Sequence, residues 1–191
     1  MNCILTGVGG QGTVLASKLI ASTALENGLM VRTAETIGMA QRGGCVVSHV
    51  RTGENLYSPL ISYGQADIII GFEPAEAVRC LPYLKKGGTV VVSSRGMQPV
   101  TAALSGHAYD GSEMMDYLYK NVENLVVVDG ESICTEIGSV KVLNTVLLGA
   151  ALTTNTLNIT KEQIIHSIHN ILAEKYVPMN LAALEAGYNR K

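Results

Sequence analysis

The most chemically suggestive stretch of this 191-residue chain lies near its start, at Gly7-Val8-Gly9-Gly10-Gln11-Gly12. The spacing Gly7-x-Gly9-x-x-Gly12 follows a short apolar run and precedes a long helical pattern. Missing side chains allow a tight turn and let a ligand approach the backbone. The helix start then offers free N–H groups and a partial positive charge to phosphate or another anion. A tight strand-to-helix turn that binds nothing is the plain alternative. A nucleotide-hydrolysing phosphate loop needs Gly-Lys-Ser/Thr at its end, whereas Gly12 is followed by Thr13 and Val14, so that chemistry is not expected. A dinucleotide-binding turn needs an acidic residue at the end of the next strand, about 20 residues on. Glu35 stands 23 residues after Gly12, which keeps nicotinamide or flavin binding open.

A second motif is Arg42-Gly43-Gly44, seven residues after Glu35. An arginine beside flexible N–H groups can clamp an anion with two parallel hydrogen bonds. Glu35 could hold that arginine or read a ligand hydroxyl; a solvated glycine turn is the rival. Other reactive residue types are less organised. His166 and His169 are three apart on a helix whose buried face is Ile164, Ile165, Ile168, Ile171 and Leu172. His166 points away from that face and no third ligand is evident, so a solvated surface is expected. His49 alternates with valines and reads as a structural histidine. Cys3, Cys45, Cys80 and Cys134 are widely spaced, with no C-x-x-C, so this chain alone offers no zinc or iron–sulfur site. Cys3 and Cys134 read as buried, and Cys45, beside the Gly-Gly loop, is the one thiol worth following. No Gly-x-Ser-x-Gly elbow exists for serine chemistry. Asn144 sits among Val142, Leu143, Val146, Leu147 and Leu148. A polar residue there must find a partner, first a loop such as the glycine turn and only second a ligand.

These residues need a scaffold, and hydrophobic periodicity supplies one. Asn2–Thr6 reads as a buried strand, Thr13–Asn27 as a helix ended by Gly28, and Leu29–Ala34 as a second strand. That βαβ order implies parallel strands. Residues 35–44 read as loop and Cys45–Arg51 as an alternating strand. Asp67–Gly71 and Thr89–Ser93 are buried strands around a helix from Pro74 to about Leu84, which Pro82 disturbs. Residues 98–111 are loop-like. Ser112–Val122 reads as a helix capped by Ser112, and Leu125–Asp129 as a strand. Beyond Gly130 the pattern is helical: Val140–Thr153, a capping box at Thr160-x-x-Gln163, and Pro178–Ala186 closed by Gly187. The expectation is one α/β domain over residues 1–191, with a mostly parallel sheet flanked by helices, a Rossmann-like N-terminal βαβ unit and a helical C-terminus.

Composition narrows the partners. Charged residues make up 16% and hydrophobic ones 47%, which excludes general disorder and points to apolar surface facing another protein. Net charge is −2 and no basic cluster exceeds Lys85–Lys86. With no Trp and one Phe, neither a phosphate-backbone footprint nor a base-stacking platform is present, so nucleic acid is not an expected partner. No stretch reads as a membrane span or signal peptide, and the cytoplasm is the expected location.

Taken together, Gly7-x-Gly9-Gly10-Gln11-Gly12, Glu35, Arg42-Gly43-Gly44, Asp67-Ile-Ile-Ile-Gly-Phe-Glu-Pro-Ala-Glu76 and Lys141-Val-Leu-Asn144-Thr-Val-Leu-Leu-Gly149 resemble the gamma domain of 2-oxoacid:ferredoxin oxidoreductases. Within that family the chain is most similar to the small (beta) subunit of the indolepyruvate type. The likeness covers nearly the whole chain and is weakest between Met97 and Asn121. It implies a subunit of an enzyme that oxidatively decarboxylates a 2-oxoacid of the indolepyruvate (arylpyruvate) type with coenzyme A, forming acyl-CoA and CO2 and reducing ferredoxin. It also implies that thiamine diphosphate and iron–sulfur clusters lie on a large (alpha) partner subunit, and that the isolated chain is inactive. The thiamine-binding Gly-Asp-Gly is approached here only by Asp110-Gly111 and Val128-Asp129-Gly130. On this reading Gly7, Gly9, Gly10, Gln11 and Gly12 form a turn facing an anion or coenzyme A, Arg42, Gly43 and Gly44 a second wall, and Glu35 orients them. No catalytic acid or base is assigned. An independent NAD(P)- or flavin-dependent Rossmann-type oxidoreductase and a purely structural subunit are the alternatives.

Overall fold

A computed structural model of the chain describes residues 1–37, 44–97 and 109–190. Six strands form one sheet: β1 (Asn2–Val8), β2 (Met30–Ile37), β3 (Cys45–Gly53), β4 (Ala66–Gly71), β5 (Leu84–Ser93) and β6 (Asn124–Val128). Seven helices are described: α1 (Thr13–Glu26), α2 (Pro74–Cys80), α3 (Ser112–Asn121), α4 (Gly130–Ile137), α5 (Leu143–Leu152), α6 (Lys161–Ile171) and α7 (Val177–Tyr188). The strand order is β2-β3-β1-β4-β5-β6.

Period-two alternation builds two cores on this sheet. Cys3, Leu5, Ile68, Ile70 and Val91 point to one face, where they pack with α1, α4, α5, α6 and α7. Ile4, Ile69, Val90 and Val92 point to the other, under α2 and α3. Strands buried on both faces lose the polar alternation of a half-exposed strand and read as continuous apolar runs, which is why Ile68-Ile69-Ile70 is so plain in the sequence.

Five of the six strands run in one direction, as expected. β4, β5 and β6 follow β1 in parallel, but β3 runs antiparallel to both β1 and β2. The crossover from β1 through α1 therefore lands two positions away, and β3 fills the gap. Several boundaries also shift. β2 runs on to Ile37, so Glu35 is in a strand and not a loop. The helix after Pro74 ends at Cys80, a 3-10 turn holds Pro82, and β5 starts at Leu84 instead of Thr89, its two glycines absorbed beside a register shift against β4. Ser112 opens α3 as its first residue, while Gly111, at φ 86°, is the cap. The stretch from Val140 divides into a 3-10 turn, Val140–Val142, and α5. Gly187 does not end the last helix but lies inside it, against the backbone of Val146. The capping box forms as read: Thr160 Oγ1 accepts from Gln163 N, and Gln163 Oε1 accepts from Thr160 N.

Candidate functional site

β1 and β4 are hydrogen-bonded neighbours, yet the chain leaves them for opposite faces, β1 into α1 and β4 into α2. Divergence of this kind opens a crevice beyond the carboxyl ends of the strands, the usual ligand position in a parallel α/β sheet. A cavity of about 480 Å³ lies there, lined by Gly9, Gly10, Gln11 and Phe72 on one side and by Ser93, the last residue of β5, with Arg95, Gly96 and Met97 beyond it. Gly130, Glu131 and Cys134 of α4, with Val140 and Leu143 ahead of and in α5, close it.

The glycine turn is shaped by hydrogen bonds and close packing around it. Gln11 folds back: its Oε1 accepts from Val8 N at 2.8 Å and its Nε2 donates to Phe72 O at 3.2 Å. The side chain thus ties the end of β1 to the end of β4. Gly7 is required because a Cβ there would press into Phe72 Cβ at 2.8 Å. Gly12 caps α1 in the left-handed region, at φ 84°, with no side-chain cap. Gly10 also has positive φ, 104°, but a Cβ there would meet nothing within 4 Å. Gly9 and Gly10 are therefore the members of the motif that give the cavity its bare backbone.

Asn144 does what its apolar setting demanded. Its Nδ2 donates to Gly12 O at 3.3 Å, so α5 clasps the turn from behind. His49 is likewise structural, its Nδ1 accepting from Ile61 N at 3.2 Å, and burial lowers its pKa. His166 is exposed, 3.9 Å from Glu26.

Gly44 joins the site through its carbonyl, which accepts from Gly9 N at 2.9 Å. The second glycine motif therefore abuts the first. Arg42 and Gly43 lie outside the described residues. Glu35 is not brought to the turn. It pairs across β2–β3 with Ser48, which in turn opposes Leu5 of β1. That leaves it two strand spacings, about 10 Å, to the side of β1, where its carboxylate lies 3.4 Å from Ser17 Oγ on α1. A dinucleotide ribose held by the turn needs its acidic partner on the strand next to β1, and the inserted β3 occupies that place.

The cavity brings in residues that the sequence did not single out. Arg95 and Glu131 form an ion pair at its rim, both side chains about half exposed. Arg95 follows β5 and Glu131 is in the first turn of α4, so 36 residues separate two groups that meet in space. The one available signal was that each stands a residue or two beyond an apolar run, where a parallel strand ends. Phe72, Met97, Val140 and Leu143 make the rest of the wall apolar.

A polar group lies on the opposite face, under α2. Glu73 caps that helix: its Oε2 accepts from Glu76 N at 3.0 Å and its Oε1 accepts from Tyr109 OH at 2.5 Å. Burial and the Glu73 carboxylate both raise the Tyr109 pKa, keeping the phenol protonated. Burial, then the neighbouring Glu76, pushes the Cys45 thiol up to about 12. A thiol so protonated is a poor nucleophile at neutral pH. Cys3 and Cys134 are buried, as read from the sequence, and burial raises both. No group of three or more potential metal-ligating side chains occurs among the described residues, and no helix there is long and apolar enough to cross a membrane.

The pyruvate ferredoxin/flavodoxin oxidoreductase profile matches residues 2–190, and the chain belongs to that family. It is 37% identical to the indolepyruvate oxidoreductase subunit IorB of Thermococcus kodakarensis over 191 residues, 97% of this chain and 93% of the relative. It is 27% identical to the gamma subunit of NADH-dependent phenylglyoxylate dehydrogenase from Aromatoleum evansii, over 95% of this chain and 89% of the relative. Among solved structures, the gamma subunit of a keto/oxoacid ferredoxin oxidoreductase from Geobacter sulfurreducens superposes with a TM-score of 0.70 at 21% identity, over 98% of this chain and 95% of that one. The 2-oxoglutarate:ferredoxin oxidoreductase of Magnetococcus marinus, solved with 2-oxoglutarate, coenzyme A and succinyl-CoA, gives 0.72 at 20% identity. There the match covers 98% of this chain but 30% of the other, so the same fold is one part of a much longer polypeptide.

Proposed function

We propose that this chain supplies the coenzyme A-facing wall of a 2-oxoacid oxidoreductase whose reaction centre is carried by a larger subunit. The chain is a subunit of a 2-oxoacid oxidoreductase by family and by its relatives. The oxidation takes a 2-oxoacid and coenzyme A to acyl-CoA and CO2, with electrons passed to ferredoxin. Arylpyruvates are the preferred substrate class, on the strength of 33–37% identity to four indolepyruvate oxidoreductase subunits.

The observation that carries the reading is the cavity at the β1/β4 divergence. Bare backbone at Gly9 and Gly10, three and two residues ahead of the cap of α1 at Gly12, faces it from one side, and Arg95 stands at its rim. A coenzyme A phosphate entering between them would compete with Glu131 for Arg95 and lie against the exposed backbone of Gly9 and Gly10. The apolar strip of Phe72, Met97, Val140 and Leu143 suits the less polar part of the same molecule. Arg42, two residues before Gly44, is a further candidate for the phosphates. Thiamine diphosphate and iron–sulfur clusters would sit on the large subunit and supply bond cleavage and electron transfer. This chain's own residues would bind and orient the thiol-bearing substrate and help keep water out. The displaced Glu35 speaks against an independent nicotinamide- or flavin-dependent enzyme.

The test is co-expression with the large subunit and assay of viologen reduction with arylpyruvates. Activity should require both chains and coenzyme A. Arg95→Ala should raise the coenzyme A KM at least tenfold with a much smaller change in the KM for the oxoacid. An unchanged coenzyme A KM in that variant would refute this placement of the coenzyme.

A further inference from the structure

Two walls of the cavity leave neighbouring strands, Phe72 beyond β4 and Gly96 beyond β5. The ladder between those strands ends at Gly71 and Val92. Past that point each strand bonds to its other neighbour: Phe72 N donates to Thr6 O of β1 at 2.8 Å, and Ser94 N to Val128 O of β6 at 2.9 Å. The gap so opened is bridged from the α2 side. Glu73, the residue after Phe72, is 2% exposed, and its Oε1 accepts from Tyr109 OH at 2.5 Å. One peptide further on, Asp110 O accepts from Gly96 N at 3.2 Å. Backbone meets backbone at that bond. A Cβ on Gly96 would come within 2.7 Å of Asp110 C and Gly111 N, and one on Gly111 within 2.9 Å of Gly96 Cα and 3.3 Å of Pro74 Cγ.

Capping α2 does not require this arrangement. A cap takes one acceptor, here Glu73 Oε2 on Glu76 N, and Ser, Thr, Asp or Asn supplies it with less side chain to bury. Burying a carboxylate is costly unless its oxygens are bonded. The second oxygen of Glu73 finds its bond in the Tyr109 phenol, and a hydrogen bond to a charged acceptor is among the strong ones. The length of Glu over Asp therefore reaches a group that a plain cap leaves untouched. We infer that Glu73 and Tyr109 are positioning residues of the cavity: their tether, carried through Asp110 to Gly96, sets the separation of the walls at Phe72 and Gly96 and so the width offered to a ligand. The structural half of this inference stands by itself; its kinetic half rests on the coenzyme A reading above.

Two variants separate the tether from the cap. Tyr109→Phe removes only the hydroxyl, and Glu73→Asp keeps a capping carboxylate while drawing it back from the phenol. The first measurement is amide hydrogen exchange on the assembled enzyme, with β4 and α2 as internal references. Exchange at the Gly96 amide should quicken about tenfold in either variant while the references hold. The double variant should be no faster than the single ones, because all three lose the same bond. Unchanged exchange at Gly96, equal acceleration in the references, or effects that simply add overturn the proposal. The second measurement is steady-state kinetics, where the coenzyme A KM should rise about three- to tenfold with kcat within about twofold. A coenzyme A KM that is unmoved in both variants but raised in Arg95→Ala also overturns the positioning role while leaving the coenzyme reading intact. Faster exchange at Gly96 with none of these variants moving KM, Arg95→Ala included, supports the tether's hold on the wall and refutes the coenzyme reading instead.

Discussion

Glycine is used in two opposite ways in this molecule. After β1, Gly10 leaves space empty: a Cβ there would meet nothing within 4 Å. Where α5 crosses α7, Gly149 and Gly187 let space vanish, because a methyl on either would collide with a carbonyl oxygen of the facing helix, Leu184 or Val146. Gly12 stands between the extremes, with a left-handed φ and the Asn144 amide 2.8 Å from where its Cβ would be. The first kind keeps backbone available to a visitor, and the second lets helices approach until backbones touch. A sequence writes both with the same letter, and only the neighbours tell them apart.

Substitutions can break this contrast. Gly187→Ala should have the largest effect, about 3 kcal/mol or more, since overpacking against backbone leaves nothing flexible to yield. For a domain of this size that corresponds to a fall in Tm of roughly 6–12 °C, measurable by calorimetry on the chain. A loss below about 1 kcal/mol would show that the two helices can separate cheaply. Gly12→Ala comes next, at about 2–3 kcal/mol, from the left-handed backbone and the displaced Asn144. Chemical denaturation of Gly12→Ala and Asn144→Ala, singly and together, should give non-additive losses, because both disturb one contact. Gly10→Ala should cost only about 1–2 kcal/mol, all of it from backbone conformation. Its larger signature should be in coenzyme A saturation of the assembled enzyme, a split between stability and binding that Gly187→Ala will not show.

The smallest effect lies away from both glycine sets. His49 is held neutral by burial and accepts a hydrogen bond from Ile61 N. Its folded pKa is lowered, so the unfolded chain binds the proton first as pH falls below about 6.5. Stability that is fully present above that pH should decline towards pH 5, by under about 1 kcal/mol at first, and His49→Gln should flatten the decline. Equilibrium urea denaturation at several pH values between 5 and 8 would record it; parallel profiles for the two proteins would remove His49 from the account.

Local signals carried much of the fold into the sequence. Thr160 and Gln163 cap each other across three residues, and no distant part of the chain can change that reading. The buried strands declared themselves through unbroken Ile and Val. Asn144 was legible by a negative argument, since a polar group in an apolar helix must be satisfied and a loop carbonyl was the natural partner. What stayed hidden depends on non-local pairing. Nothing near Glu35 reveals that β3 slips between β2 and β1, and that single insertion moves its carboxylate out of the dinucleotide position. Arg95 and Glu131 were passed over because each is ordinary in its own segment. Glu73 stood out only as part of the run from Asp67 to Glu76, and its partner Tyr109 lies 36 residues further along the chain.

The Gln11 side chain, bonded at one end to β1 and at the other to the exit of β4, has a thermodynamic corollary. A turn fastened at both ends has surrendered its freedom during folding, long before any visitor arrives. The visitor therefore has no loop to freeze, and the entropy lost on association falls mainly on its own rotatable bonds. Affinity at such a place should rise when the guest is made stiffer and respond weakly to attempts at rigidifying the host.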